Sequence, residues 1–568
     1  MQFNILSMIA IAATLPNASL SAPTDAVGIV PRDNTAAIIG TWDDKQCGVS
    51  KVDDSVAVPD NKPVGDCKAL RGNSMQVFWV KKGCRGFPAC RDVAKVYDPT
   101  TIEETIDIVR TAASNGTPVR ASGKGHMWYD TMCSDNSSTV IVRTERLNRI
   151  SEFDLPAGAQ DGSVMIEAGV TFFQLAEYLH LNNASMGYTL VNWNITLAGS
   201  IAMGAHRSSL REESMVTAGA LELHIIDGNG ELRIIKKSES DEWLAASTSL
   251  GLLGVIAKVK FKIYPDFKVY AKQDILSEDK VLNGDIYGLI APYATANFWW
   301  WPYLRKFHHR YYDPIPAGMS DQEGFQSTFS VTKAEADIAA GLLNSGKILP
   351  TSNMAAETLF FALWSPPNFR DKRTDKAILT WPVYGWNYDV LIGGLYPGYG
   401  TEWDLGLRGL TLELAFPVTI ANDVLKHVRG AFDDELKKGI VMTSTYRSGI
   451  NIKFGKPYND LLGQVTTGTE DGADWTKGAM MFDFPTFKPS WGDGKRFNEG
   501  FYDRLAKSLI ERFPCRPHWT KNTREVFNLT MVNKKIDSGH LRRFKSVREE
   551  FDPKGIFRSV VGQTLGLY

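Results

Sequence analysis

Three features of the sequence predict a two-domain protein of the α+β class. The chain has 568 residues, beyond the size at which a single hydrophobic core keeps growing. From about Met75 to Pro265, short apolar runs alternate with amphipathic stretches, the pattern of strands mixed with helices. From about residue 270 to 530 the character changes. Aromatic residues cluster, as in Phe298-Trp299-Trp300-Trp301-Pro302-Tyr303, and longer loops appear, which reads as a second α+β domain. Hydrophobic residues make up 43% and charged residues 22%, ordinary for a globular protein. The formal net charge of −1 provides no basic field for nucleic acid or an acidic membrane, so neither partner is expected.

The N-terminus carries an apolar run from Ile5 to Leu15, then small residues and Ser21-Ala22. The run is too short to span a bilayer, so residues 1–22 are expected to be a signal peptide and the protein to be secreted, with a buried helix as the alternative. No later stretch is long and apolar enough to be a membrane helix. Residues 23–85 read as a polar extension with little helix. Four of the six cysteines, Cys47, Cys67, Cys84 and Cys90, fall within the first ninety residues, as disulfide staples of a loop-rich exported segment would. Pairing Cys47 with Cys67 and Cys84 with Cys90 is one of the three connectivities. The CxxC and HxxxH spacings of a zinc site are absent, and no metal is expected. Sequons at Asn136, Asn183, Asn194 and Asn528 fit a glycoprotein.

The first domain is expected over 86–268. Thr101 to Asn115, with Ile102, Ile106, Ile108, Val109 and Ala112, has helical spacing. Ser163 to Val170 reads as a strand closed by a glycine turn, and Phe172 to Asn182 as a helix. Leu221 to Ile235 reads as two strands around Asp227-Gly228-Asn229-Gly230, a hairpin signal. Gly254 to Tyr264 is a further strand. The second domain is expected over 269–535.

Two strings carry chemistry. In Val119-Arg120-Ala121-Ser122-Gly123-Lys124-Gly125-His126-Met127-Trp128 a strand runs into a loop with two glycines. Glycines let backbone N–H groups approach a phosphate, although a short glycine loop also suits an ordinary turn. It matches neither G-x-G-x-x-G nor the P-loop. In Ile195-Thr196-Leu197-Ala198-Gly199-Ser200-Ile201-Ala202-Met203-Gly204-Ala205-His206 small residues dominate without turn punctuation. Either a large flat group or another element approaches that backbone closely.

In this order and spacing the two strings resemble the FAD-binding domain of the vanillyl-alcohol oxidase / p-cresol methylhydroxylase (PCMH-type) superfamily. Glu167-Ala168-Gly169-Val170, Leu250-Gly251-Leu252-Leu253-Gly254-Val255-Ile256 and the late Asp552-Pro553-x-Gly-x-Phe557 add to the resemblance. It implies an FAD-binding domain, a cap domain with an antiparallel sheet, and residues 536–568 returning to the first domain. His518-Trp519-Thr520-Lys521 and the Phe298 to Tyr303 strand are similar to the sugar-1,4-lactone and alditol oxidase branch.

The resemblance assigns FAD binding to Arg120, Ala121, Ser122, Gly123, Lys124, Gly125, His126, Met127, Gly169, Ala198, Gly199, Ser200, Met203, Gly204, His206, Gly254, Val255 and Ile256. His126 matches a histidine that many members bond covalently to the flavin; simple packing beside the ring is the alternative. Lys521 matches a lysine near flavin N1, and His518 belongs to the same motif. One departure stands out. The branch carries Glu-x-Arg on a substrate strand, and the counterpart here is Asn451-Ile452-Lys453. Lys453 keeps the charge but not the forked geometry of Arg. Glu413 matches a family glutamate on a neighbouring strand, as a substitute acid or a structural ion pair. The implied activity is hydride transfer from a CH–OH group of a sugar lactone or polyol-like substrate to FAD, with O2 as acceptor giving H2O2, in a monomer or homodimer. A bulkier apolar alcohol or phenol, or a flavin protein with a degenerate site, are the rivals. Trp299, Trp301 and Tyr303 are expected to wall the substrate cavity, with Trp300 pointing away.

Overall fold

In the computed structural model, residues 94–568 are described except for 124–126, 128, 137, 157–160, 188–194, 327–340, 343–351, 393–408, 438–448, 469–472 and 488–498, together with the short strands Ala37–Thr41, Leu70–Arg71, Phe78–Val80 and Ala89–Arg91. The proposed leader and the cysteine pairing of the extension fall outside what is described.

Local sequence fixes several elements. The helix Ile102–Asn115 starts on a capping box: the Thr101 hydroxyl accepts from the Glu104 N–H (3.1 Å) and the Glu104 carboxylate from the Thr101 N–H (3.3 Å). These bonds satisfy donors that a first turn otherwise leaves open. It ends on Gly116 in the left-handed conformation, φ 65°. Strand Gly162–Glu167, helix Phe172–Leu181, the hairpin Ala220–Ile226 with Leu232–Lys236, and strand Val255–Pro265 lie where the periodicity puts them. The small-residue string holds a short helix, Leu197–Ala202.

The first domain has two sheets among the described residues. In one, Lys95–Asp98, Val140–Arg143 and Val119–Ser122 run parallel. In the other, Leu232–Lys236, Ala220–Ile226, Val255–Pro265, Gly162–Glu167 and Ile150–Asp154 are antiparallel neighbours in that order. C-terminal residues Phe544, Val547, Phe551 and Val561 are buried in the same core as Val164, Leu223 and Val259. Gly254 sits at φ 147°, where a Cβ would overlap the Ile226 carbonyl oxygen and the Ile225 side chain. Val255 and Ile256 bury their side chains in the core. These three positions, assigned to FAD by resemblance, are explained by strand packing. Gly254→Ala should therefore destabilise the domain by about 3 kcal/mol, seen as a lower denaturant midpoint. An unchanged midpoint would refute the packing account.

The second domain is built on an antiparallel sheet ordered Val383–Trp386, Lys268–Ser277, Lys306–Ile315, Thr295–Trp301, Ile450–Gly455, Ala479–Phe487, Gly409–Pro417 and Arg516–Pro517. Residues directly opposite in antiparallel strands share a face, and successive residues alternate. Phe298, Ile452, Phe482 and Leu414 form one cross-strand row, buried with side chains of helices Ala421–Lys437 and Glu499–Arg512. One residue along, Trp299, Asn451, Asp483 and Glu413 form the row facing the other way.

That second row corrects the expected tryptophan wall. Trp299 and Trp301 share the face of Glu413 but are only 7% and 0% exposed, packed with Ala356 and Phe360 of helix Ser352–Trp364. Tyr303 lies beyond the strand, its N–H donating to Glu357 Oε1 (2.8 Å). Alternation sets which face a residue joins; it does not say what covers that face. Trp300 packs on the apolar side, stacked on Phe307, with its indole N–H donating to Glu278 (2.8 Å).

Candidate active site

Ligands of open sheets with parallel strands bind beyond the carboxyl ends of those strands. Four backbone segments converge there in the first domain. The Thr144 N–H donates to the Ser122 carbonyl (2.8 Å), Gly169 N–H to Leu147 (2.7 Å), Leu197 N–H to Val170 (3.0 Å) and Phe172 N–H to Ile195 (3.1 Å). Their approach is close enough to demand glycine. A Cβ at Gly123 would overlap the Thr196 side chain, one at Gly169 the Thr144 carbonyl, and one at Gly199 would crowd the Thr196 hydroxyl. Gly204 takes φ 63° before the chain leaves for His206.

The residues here fit FAD. The cradle is walled by backbone and by the small side chains Ser122, Gly123, Ala198, Gly199 and Ser200, so main-chain N–H groups and hydroxyls are what it offers a pyrophosphate. Lys124, Gly125 and His126, the rest of the loop, lie outside the described residues, and with them the proposed covalent link. Met127 and Met203 pack, half-buried, on the first domain's core. Ala121 is exposed.

Arg120, which the resemblance assigns to FAD, has a structural use for its side chain. Its guanidinium is buried and donates to four carbonyls: Met132 (2.9 Å), Gly251 (2.9 Å), Phe557 (2.7 Å) and Leu250 (3.0 Å). The side chain ties these loops together.

From the cradle, residues 206–209 cross to the cap sheet. The Ser209 N–H donates to the Phe454 carbonyl (2.8 Å), and His206 Nε2 lies 2.8 Å from Glu413 Oε1. Tyr129, just past the glycine loop, donates its hydroxyl proton to the Thr411 carbonyl (2.9 Å). The polar row of the cap sheet thus meets the end of the FAD cradle. At the centre, Lys521 Nζ donates to Glu413 Oε2 (2.5 Å) and Asp483 Oδ2 (2.8 Å). The Thr411 hydroxyl donates to Asp483 Oδ1. The turn that carries Lys521 is clamped to the Glu413 strand. Asn522 Nδ2 donates to the Glu413 carbonyl (2.7 Å) and the His518 N–H to the same oxygen (3.1 Å). Trp519 stacks on Phe527 and donates to the Leu462 carbonyl (2.7 Å).

The electrostatics follow from this geometry. Burial alone would push Glu413 up, but Lys521, His518 and His206 hold its carboxyl well below the usual carboxylate range. Burial would likewise lower Lys521, yet Asp483 and Glu413 raise its ammonium above the ordinary lysine value. Burial keeps His518 far below the usual imidazole range. Burial, with Lys521 nearby, lowers Lys453 to about 8. His206, Glu413 and His518 offer ligand atoms within 4.8 Å of one another. Lys521 on Glu413 already places a cation there, so the group reads as a proton and charge network.

The structure therefore brings Lys521, Lys453, Glu413, His518 and His206 together from separate parts of the chain. Sequence reasoning missed Asp483, Thr411 and Asn522. Asp483 carried a signal: it is a lone acid between Phe482 and Phe484 in an otherwise apolar strand.

Comparison with known proteins bears on the cofactor domain and the fold. The family pattern of the FAD binding domain matches residues 93–236. L-gulonolactone oxidase 5 of Arabidopsis thaliana is 24% identical over 555 residues, 92% of this chain and 88% of that protein. The D-arabinono-1,4-lactone oxidase of Kluyveromyces lactis is 30% identical over 245 residues, 42% of this chain and 44% of that protein. The cholesterol oxidase structure from B. sterolicum has a TM-score of 0.65 at 14% identity, covering 88% of this chain and 96% of that one. At that identity the likeness establishes a shared two-domain fold.

Proposed function

Because the chain belongs to the PCMH-type FAD-binding flavoproteins and is an FAD-dependent oxidoreductase similar to the sugar-lactone oxidases, we propose that it oxidises a CH–OH group of a small polyhydroxylated substrate, sugar lactone or polyol-like. Dioxygen is the proposed final acceptor, giving H2O2, and secretion is part of the proposal. The observation that carries this reading is the Glu413–Lys521–Asp483 bridge, set in a polar row where the first domain's His206 reaches the cap sheet. Such a surface offers hydrogen bonds and charge to a hydroxylated ligand.

When bound, FAD supplies the two-electron acceptor for a carbinol C–H. The protein's own groups do the rest. Lys521 keeps a fixed positive charge in the site, where preorganised charge favours electron-rich states. His206 and Lys521 hold Glu413 from both oxygens, and Asn522 fixes the backbone beneath it. Lys453, in the place of the branch's arginine, offers a single nitrogen without a fork. A bulkier apolar alcohol has less support, because the tryptophans that would receive it are packed under helix Ser352–Trp364.

The test is spectroscopic. Purified protein should be yellow, and anaerobic mixing with lactones and polyols should bleach it. Readmitted air should restore colour and yield H2O2. Folded protein that takes up no flavin when supplied with FAD would defeat the reading. Bleaching by sterols alone would transfer it to the apolar class. After acid precipitation, a yellow pellet would establish a covalent link and direct attention to His126→Ala.

A further inference from the structure

We propose that Lys453, in its uncharged form, is the group that takes the hydroxyl proton of the substrate as the alcohol is oxidised. The inference deepens the oxidation of a CH–OH group proposed above and rests on it.

The geometry points to Lys453 by elimination. Glu413 accepts at Oε1 from His206 and at Oε2 from Lys521. Asp483 accepts at Oδ2 from Lys521 and at Oδ1 from Thr411. His518 Nδ1 accepts from the Thr520 N–H (3.1 Å), which leaves its other nitrogen as a donor. His206 is engaged at both ring nitrogens, Nδ1 lying 3.1 Å from the Arg207 carbonyl and Nε2 2.8 Å from Glu413. Each of these candidate bases therefore already has a partner, and the Glu413 carboxylate is in addition too weak a base to hold a proton at neutral pH. Lys453 lies on the same face, two residues from Asn451 in the row of Asp483 and Glu413. It is half-buried and makes no hydrogen bond or ion pair among the described residues.

Its surroundings favour the uncharged amine. Glu413 and Asp483 face it from the two neighbouring strands of the row and oppose its discharge; Lys521 and burial favour it. His518, from the turn below, stays neutral. On the other side Trp299 and Asn297 carry no charge, and the Arg310 guanidinium beyond them lies over the Trp299 ring (4.7 Å). The balance leaves a substantial share of neutral amine slightly above pH 7. Arginine at this position would hold its proton and could not do this.

In the step, the substrate O–H bond breaks and its proton moves to the Nζ lone pair. The carbinol C–H hydrogen leaves with two electrons to the FAD of the proposed function. The oxygen lone pair closes the C=O of the product. The ammonium then loses its proton to solvent.

Two measurements test this. First, the reactivity of Lys453 toward limiting acetic anhydride, followed by peptide mass spectrometry across pH, should rise with a midpoint near 8; a midpoint above 10 would overturn the proposal. Second, anaerobic substrate-driven bleaching in the wild type should quicken with pH and level off above the same midpoint. K453M and K453R should keep their flavin spectrum and both be slower by about 10²–10⁴-fold. K453A should be rescued by small primary amines, more so by the more basic ones. K453R at wild-type speed would mean that charge alone matters and would sink this proposal while sparing the oxidation. A wild type that holds FAD but is bleached by no alcohol would bring down both.

Discussion

Lys521→Met should destabilise the protein by about 3–5 kcal/mol at neutral pH and abolish substrate-driven bleaching. The lysine side chain is 15% exposed, while its partners Glu413 and Asp483 are 0% and 14% exposed. Removing the cation leaves two buried carboxylates facing one another without their shared ammonium, and an uncompensated buried charge is among the costliest changes a core can suffer. The pH dependence gives the sign. In the wild type Glu413 is held below its ordinary value, so its stabilisation is present above the unfolded carboxylate range and is lost as pH falls through the folded value. In Lys521→Met, burial acts with its main opponent gone. Glu413 should then be pushed up, and the variant should recover part of its deficit as the solution is acidified toward pH 5. Denaturant midpoints at pH 5 and 8 decide this; a deficit of equal size at both would refute the charge account. Glu413→Gln on the same background should restore some stability by removing one of the stranded charges.

Arg120→Met should cost about 4 kcal/mol, and Arg120→Lys nearly as much. The guanidinium joins strand Val119–Ser122 to the turn at Met132, to the loop Leu250-Gly251 and to Phe557. Burial lowers it to about 10, with Tyr568 and Asp552 pulling the other way. Lysine has a single nitrogen and cannot reach four carbonyls on three sides. The C-terminal segment should come loose first, so limited proteolysis should release peptides from beyond His540 before global unfolding. Below its melting range the variant should still take up FAD. Loss of FAD at undiminished stability would return Arg120 to the role of a cofactor ligand.

Much of the first domain was legible because its signals are local. The Thr101 and Glu104 capping box, the Asp227 to Gly230 turn and the period-two strands each depend on residues a few positions apart. Asp552 is of the same kind: its carboxylate accepts from the N–H groups of Ile556 (2.8 Å) and Phe557 (2.9 Å), a closed turn visible in the motif itself. The expectation for the tryptophans failed because a strand's alternation is local and its cover is not. Helix Ser352–Trp364 comes from sixty residues later and buries the face that Trp299 and Trp301 share with Glu413.

The active-site cluster divides in the same way. The residue types of Lys521, Glu413 and the Asn451/Lys453 departure stood in the sequence, and with them the FAD chemistry. Their partners did not. Asp483 meets Lys521, His206 meets Glu413, and Arg120 meets Phe557 across separations of 38, 207 and 437 residues. Residue chemistry is fixed by covalent structure, so sequence alone determined which groups were present to bind and react. Charge state, burial and the absence of a hydrogen-bond or ion-pair partner for Lys453 among the described residues arise from distances between strands far apart in the chain. Coulomb energy and desolvation depend on those distances, and so only the tertiary structure decided which group is held as an ion and which is left able to take a proton.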